Sequence, residues 1–205
     1  MPWTWTLNWG IITPDLFVGT CPQEPADLKE IKVSTGVTAV MSLQHDECLA
    51  RYGIDFNRMS REGEALGLVM ERCPIRDFDP LETRRLLPDA VKKLAGLQAG
   101  GHRTYVHCTA GISRAPLTVF GYLALVAGVD ESEARRMIMD GRPGAVPYWE
   151  AYDGARADLK VRHRDLIQRR MSELAGDNLS LDGARVESRA EAEVLREILS
   201  GPESG

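Results

Sequence analysis

Residues 107–116 read His-Cys-Thr-Ala-Gly-Ile-Ser-Arg-Ala-Pro, and the rest of the chain is best read outward from them. Five small or modest residues separate Cys108 from Arg114. The run Thr104-Tyr105-Val106-His107 before them predicts a short buried strand. The run after them, Ala115 to Ala127, predicts an apolar helix ended by Gly128. Strand, tight loop and helix N-terminus in succession point backbone N–H groups into one concavity, which suits a tetrahedral oxyanion. A helix N-terminus and a nearby guanidinium both favour thiolate over thiol at a cysteine placed there. Arg114 can take two oxygens of such an anion with its planar fork, which a lysine cannot do.

Further out, strand and helix patterns alternate. Asp15 to Val18, Val37 to Leu43 and Leu68 to Ile75 read as strands; Pro25 to Val33 and Arg84 to Ala99 read as helices. This order predicts an α/β fold with a central, largely parallel sheet flanked by helices. Asp130 is placed as the N-cap of a helix with Glu133 three residues on, and that helix stops before Gly141-Arg142-Pro143-Gly144. Another begins near Pro147 and continues to Ala175, and a last helical segment spans Glu187 to Leu199. At the other end, Trp3, Trp5, Leu7 and Trp9 alternate with polar residues, as in an extended segment laid on the domain.

The segment HCTAGISRAP carries the HC-x5-R signature of the protein tyrosine phosphatases. With the upstream run IRDFDPLETRRLLPDAV it resembles the dual-specificity branch, and within that the glucan phosphatases of the plant starch-excess type and laforin. The resemblance implies the cysteine-dependent phosphatase fold, with a catalytic domain over residues 1–155 and a helical C-terminal extension over 156–205. It implies Cys108 as nucleophile, Arg114 as phosphate ligand and Asp77 as general acid. Asp79 is the alternative acid, but it precedes a proline, where aspartate often shapes a turn. His107 is expected to orient the loop. Thr109, Ala110, Gly111, Ile112 and Ser113 are expected to bind the phosphoryl group. Phe78 and Tyr52 match aromatics of the family's substrate channel. The late aromatic of that channel is replaced by Val146, with Tyr148 and Trp149 as its candidates. Most tyrosine phosphatases carry Ser or Thr after the loop arginine; here Ala115 stands there, as in the glucan branch, and slow turnover follows.

The implied substrate is a phosphate monoester, with phosphorylated polysaccharide or a phospho-sugar foremost. A protein phosphatase acting on phosphotyrosine and phosphoserine/threonine is the alternative, and a phospho-binding scaffold a third. No separate carbohydrate-binding module is expected, so surface sites or the tryptophan face are expected to hold a polymer. The net charge is −5 over 205 residues, so no basic field recruits nucleic acid or an anionic membrane, and neither is expected as a partner. Cys21, Cys48, Cys73 and Cys108 lack metal-type spacing, so no metal or cofactor is expected. Free thiols suit a reducing compartment. With no apolar run near the roughly 18 residues of a membrane span and no leader pattern, the expected location is cytoplasmic. The oligomeric state is left open.

Overall fold

The computed structural model describes residues 5–177 and 182–201. Five strands form one sheet: β1 (Trp9–Thr13), β2 (Leu16–Gly19), β3 (Ala39–Gln44), β4 (Val69–Ile75) and β5 (Thr104–His107), in the order β1-β2-β5-β3-β4. β1 runs antiparallel at one edge; the other four strands are parallel. The sheet is therefore largely parallel, as the alternation of elements predicts. β5 is central, with Gly19 of β2 and Ser42 of β3 both in register with His107. Four parallel strands deliver their carboxyl ends to the same edge of the sheet, where ligand sites of open α/β sheets lie.

Side chains along the inner strands alternate between two cores. Leu16, Val18, Ala39, Met41, Leu43 and Val106 belong to the larger cluster, while Phe17, Val40 and Tyr105 enter a second one on the opposite face. The helices are α1 (Pro25–Thr35), α2 (Asp46–Tyr52), α3 (Phe56–Ala65), α4 (Pro80–Ala99), α5 (Arg114–Leu125), α6 (Glu131–Gly141), α7 (Trp149–Arg162), α8 (Arg164–Asp177) and α9 (Gly183–Ser200). Residues of α4, α5, α6, α7 and α9 fill the larger core; α1 and α3 contribute to the second.

Several boundaries differ from the sequence pattern for identifiable reasons. α4 starts at Pro80 and not Arg84, because Asp79 caps it by accepting from the Glu82 N–H at 2.8 Å, with proline in the first turn. The helix expected to run from Pro147 to Ala175 is two helices broken at His163. α2 and α3 were not expected. α2 has seven residues, too few to show a period, and depends on the His45 side chain as N-cap. Asp130 caps α6 as expected, accepting from Ser132 and Glu133. At the N-terminus, Trp5, Leu7 and Trp9 pack against the second core, and the chain from Trp9 becomes the edge strand β1; Trp3 lies outside the described residues.

The C-terminal helices join the domain. Leu195 and Leu199 of α9 belong to the larger core, and Glu191, 5% exposed at its side chain, meets Arg156 at 2.7 Å and Lys160 at 2.7 Å on α7. α7 itself runs continuously across positions 155 and 156, between which the extension is expected to begin. Leu195→Ala is therefore expected to destabilise the whole molecule by about 2–5 kcal/mol, the usual range for emptying a core leucine site. Urea unfolding followed by a probe in the sheet checks this; an unchanged midpoint would mean that α9 does not share the core's cooperativity.

Candidate active site

β5 ends at His107, and Cys108 sits just past it at 2% exposure. Residues 108–113 then turn tightly into α5. Gly111 makes the turn possible: its φ is +66°, and a Cβ there would meet the Gly19 carbonyl oxygen at 2.4 Å. The loop carbonyls are held by groups around the loop. His107 Nδ1 lies 3.0 Å from the Cys108 oxygen, and the Cys21 N–H donates to Thr109 O at 3.0 Å. Arg142 donates from Nη2 to Ala110 O at 3.0 Å and from Nε to Gly111 O at 3.1 Å, and the Val146 N–H donates to Ile112 O at 2.8 Å. Among the described residues no peptide is cis, so each N–H opposes the carbonyl of its own peptide unit. Tying the carbonyls outward turns the N–H groups of residues 109–113 toward the interior of the loop, an anion-binding nest.

Arg114 opens α5 at 1% exposure. Its Nη1 donates to the Ile75 carbonyl at 2.8 Å and contacts Cys48 Sγ at 3.6 Å; its Nη2 lies 2.8 Å from Asp77 Oδ2 and 3.4 Å from Thr109 Oγ1. Burial works to lower its pKa, but Cys108, Asp77 and Cys48 prevail and raise it, so the guanidinium is a permanent cation. Among the described residues its buried Nε has no acceptor, and neither does the hydroxyl of Ser113. An unpaired buried donor on a charged group is costly, and an oxyanion in the nest would satisfy it.

The two aspartates offered as acid have different partners. Asp77 is on the guanidinium; Asp79 is spent on the N-terminus of α4. Between them Phe78 adopts a left-handed φ of +57° and is 85% exposed. Asp77, Phe78 and Tyr52 share one cavity of about 580 Å³ with Thr109, Ala110 and Ile112, and Glu47, Cys48 and Arg51 complete its wall. Tyr52 is braced from behind by Trp5, whose ring meets it edge-on at 4.7 Å and whose Nε1 donates to the Cys21 carbonyl at 3.0 Å. Trp149, by contrast, is no channel aromatic. It packs on Phe120 at 5.0 Å with Arg135 stacked 3.9 Å over its ring, which places it against the larger core. Tyr148 is also packed against that core.

His107 is buried, and burial pushes its pKa down to about 4. Because a carbonyl can only accept, its Nδ1 carries the proton given to Cys108 O. It is a neutral support for the loop. Cys21 is also buried, and burial pushes its thiol pKa up, so it stays protonated beside the nest. Gln44, at the end of β3, donates to Thr109 Oγ1 at 3.2 Å. Gln44, Cys48 and Arg142 were missed in the sequence. Gln44 closes a mostly apolar strand, and Arg142 sits in a Gly-Arg-Pro-Gly turn that reads only as a helix stop. Among the described residues no three His, Cys, Asp or Glu side chains are placed to hold a metal ion.

Fold and loop together define the class. The model of the dual specificity phosphatase catalytic domain matches residues 21–151, and the chain belongs to that family. Among curated proteins it is 36% identical over 155 residues to the phosphoglucan phosphatase DSP4, amyloplastic, of Castanea sativa, covering 75% of this chain and 41% of that protein. It is 29% identical over 166 residues to laforin of Mus musculus, covering 76% of this chain and 50% of laforin. The chain thus spans half or less of the length of these relatives. The crystal structure of PTPMT1 shares the fold, with a TM-score of 0.59 at 22% identity over 83% of this chain and 99% of that one. Tk-PTP in its active form gives 0.58 at 23% identity over 71% and 92%. No helix among the described residues is long and apolar enough to cross a membrane.

The buried histidine makes stability depend on pH. Its folded pKa of about 4 lies below the ordinary 6.5, so between these values the unfolded chain binds the proton and the folded one does not. Stability falls as pH drops through that window, by about 2 kcal/mol between pH 6.5 and 5 from this group. Urea unfolding at both pH values checks it: His107→Gln is expected to lack that increment, and an identical pH dependence in the two proteins would contradict the neutral assignment.

Proposed function

We propose that the chain is a cysteine-dependent phosphomonoesterase whose substrate is a phosphorylated glucan. The observation that carries the phosphatase chemistry is the buried, unpartnered Nε of Arg114 beside a loop whose N–H groups turn inward. A substrate phosphoryl group fits there, its oxygens taking the loop N–H groups and the guanidinium fork. As phosphate takes the fork, Asp77 gives up its own place on Arg114. The Cys108 thiolate attacks phosphorus in line; the S–P bond forms as the P–O bond to the sugar breaks. Asp77 in its acid form protonates the leaving oxygen. The same carboxylate then takes a proton from water, which attacks phosphorus, releases inorganic phosphate and returns the thiolate. Ala115 offers the departing thiolate no hydroxyl, and turnover is correspondingly slow.

The substrate class rests on the named activity of the plant relative and on the cavity. Phe78 and Tyr52 present rings beside the phosphate position, as a sugar face requires, and Phe78 is held out into solvent. Cys21, Cys48 and Cys108 are free thiols, which fits a reducing compartment; the cytoplasm is such a place.

Phosphate release from phosphorylated amylopectin, measured beside a phosphotyrosine peptide panel, tests this reading. Cys108→Ser is expected to abolish release from both while the fold persists, and residual activity above a few per cent would remove Cys108 from the nucleophile's role. A wide preference for the peptides in the unmodified chain would make the protein-phosphatase reading the correct one. Asp77→Asn is expected to slow release from a sugar phosphate by about 10²–10⁴-fold and from an activated aryl phosphate far less, because a good leaving group needs no proton. If Asp79→Asn shows that selectivity instead, the acid is Asp79.

A further inference from the structure

Arg142 belongs to no motif used by the chemistry above, yet it reaches the centre of the loop. It follows α6, whose last residue, Gly141, is pressed on β1 so closely that a Cβ on Gly10 would meet the Gly141 oxygen at 1.8 Å. From that anchored backbone the half-buried side chain passes beneath residues 110 and 111. Nη2 and Nε each hold one carbonyl, of Ala110 and Gly111, and Nη1 is held in turn by Asn8 Oδ1 at 2.6 Å. These two peptide units carry the N–H groups of Gly111 and Ile112. Gly111 is also where the loop is easiest to distort, since glycine passes between positive and negative φ at little cost. A flip of either peptide would turn a donor away from the nest and a carbonyl into it. The planar fork on two adjacent carbonyls opposes that flip; a single ammonium on a flexible stem cannot hold both in one geometry.

We propose that Arg142 is a positioning residue that fixes the two central peptides of the cysteine loop, so that their N–H groups meet the transferring phosphoryl group. Asn8, from the segment before β1, sets the guanidinium. The proposal rests on the phosphatase reading. It is tested on the full chain by kcat and KM for an aryl phosphate, the inhibition constant for orthovanadate, and the thermal midpoint. Arg142→Gln is expected to lower kcat on the order of tenfold to a hundredfold and to weaken vanadate by at least tenfold, at a nearly unchanged midpoint. Arg142→Lys is expected not to rescue either quantity. Asn8→Ala, an exposed change, is expected to lower kcat several-fold, with no further loss when added to Arg142→Gln, because both act through one contact. Unaltered kcat and vanadate inhibition in Arg142→Gln would overturn the proposal, and so would full rescue by lysine, which would make charge alone the cause. If the Arg142 variants fail to fold, Asn8→Ala decides: unchanged kcat overturns the proposal, reduced kcat with weaker vanadate supports it. An unmodified chain that neither hydrolyses the aryl phosphate nor binds vanadate refutes the phosphatase reading first, whereas an active chain with indifferent variants refutes the role of Arg142 alone.

Discussion

A guanidinium at 1% exposure is the constraint around which the rest of this molecule is arranged. An isolated buried charge costs several kcal/mol unless polar groups surround it. Arg114 stands at the first turn of α5, and its partners come from separate parts of the chain. The end of β4 supplies the Ile75 carbonyl, the segment after it supplies Asp77, α2 supplies Cys48 and the loop itself supplies Thr109. Satisfying one side chain thereby brings Asp77 and the wall of the cavity to the cysteine. The Nε left over among these contacts is the donor that an oxyanion would complete.

The same arrangement explains why the loop is supported from below and behind. A nest for an anion needs several N–H groups aimed at one point, and their carbonyls must then go elsewhere. Here they go to the residue just before Cys108, to the connection after β2, and to the turn between α6 and α7. Each of these is anchored by packing. Tyr105 fills the space beside Gly19 and donates to Thr20 O at 2.8 Å, and α6 is seated on the edge strand. The N-terminal segment contributes twice, through Asn8 behind Arg142 and through Trp5 behind Tyr52. It is thus part of the site's support although it carries none of the expected chemistry.

Local sequence was enough for everything that repeats or caps locally. The buried strands at 39–44 and 104–107, the helix after Arg114 and the Asp130 cap depend on neighbours within a few residues, so period and spacing reveal them. The motif from His107 to Pro116 is likewise contiguous, so the loop is legible in consecutive residues. α2 escaped notice because seven residues are too short for a period, and the break at His163 because both flanking segments carry helical pattern.

The sequence by itself determined the α/β class, the cysteine loop and the arginine that follows it, because strand, turn and helix start are written in consecutive residues. It could not separate Asp77 from Asp79 except by resemblance, nor tell Trp149 from a channel aromatic, nor show Gln44, Cys48 and Arg142 at the loop. Only the tertiary structure decided these. Which carboxylate caps a helix and which meets Arg114 depends on how β4 ends against α5, and whether an aromatic lines a cavity depends on what covers its other face. Those are contacts between residues tens of positions apart, made when strands cross over and bring their carboxyl ends to one edge of the sheet.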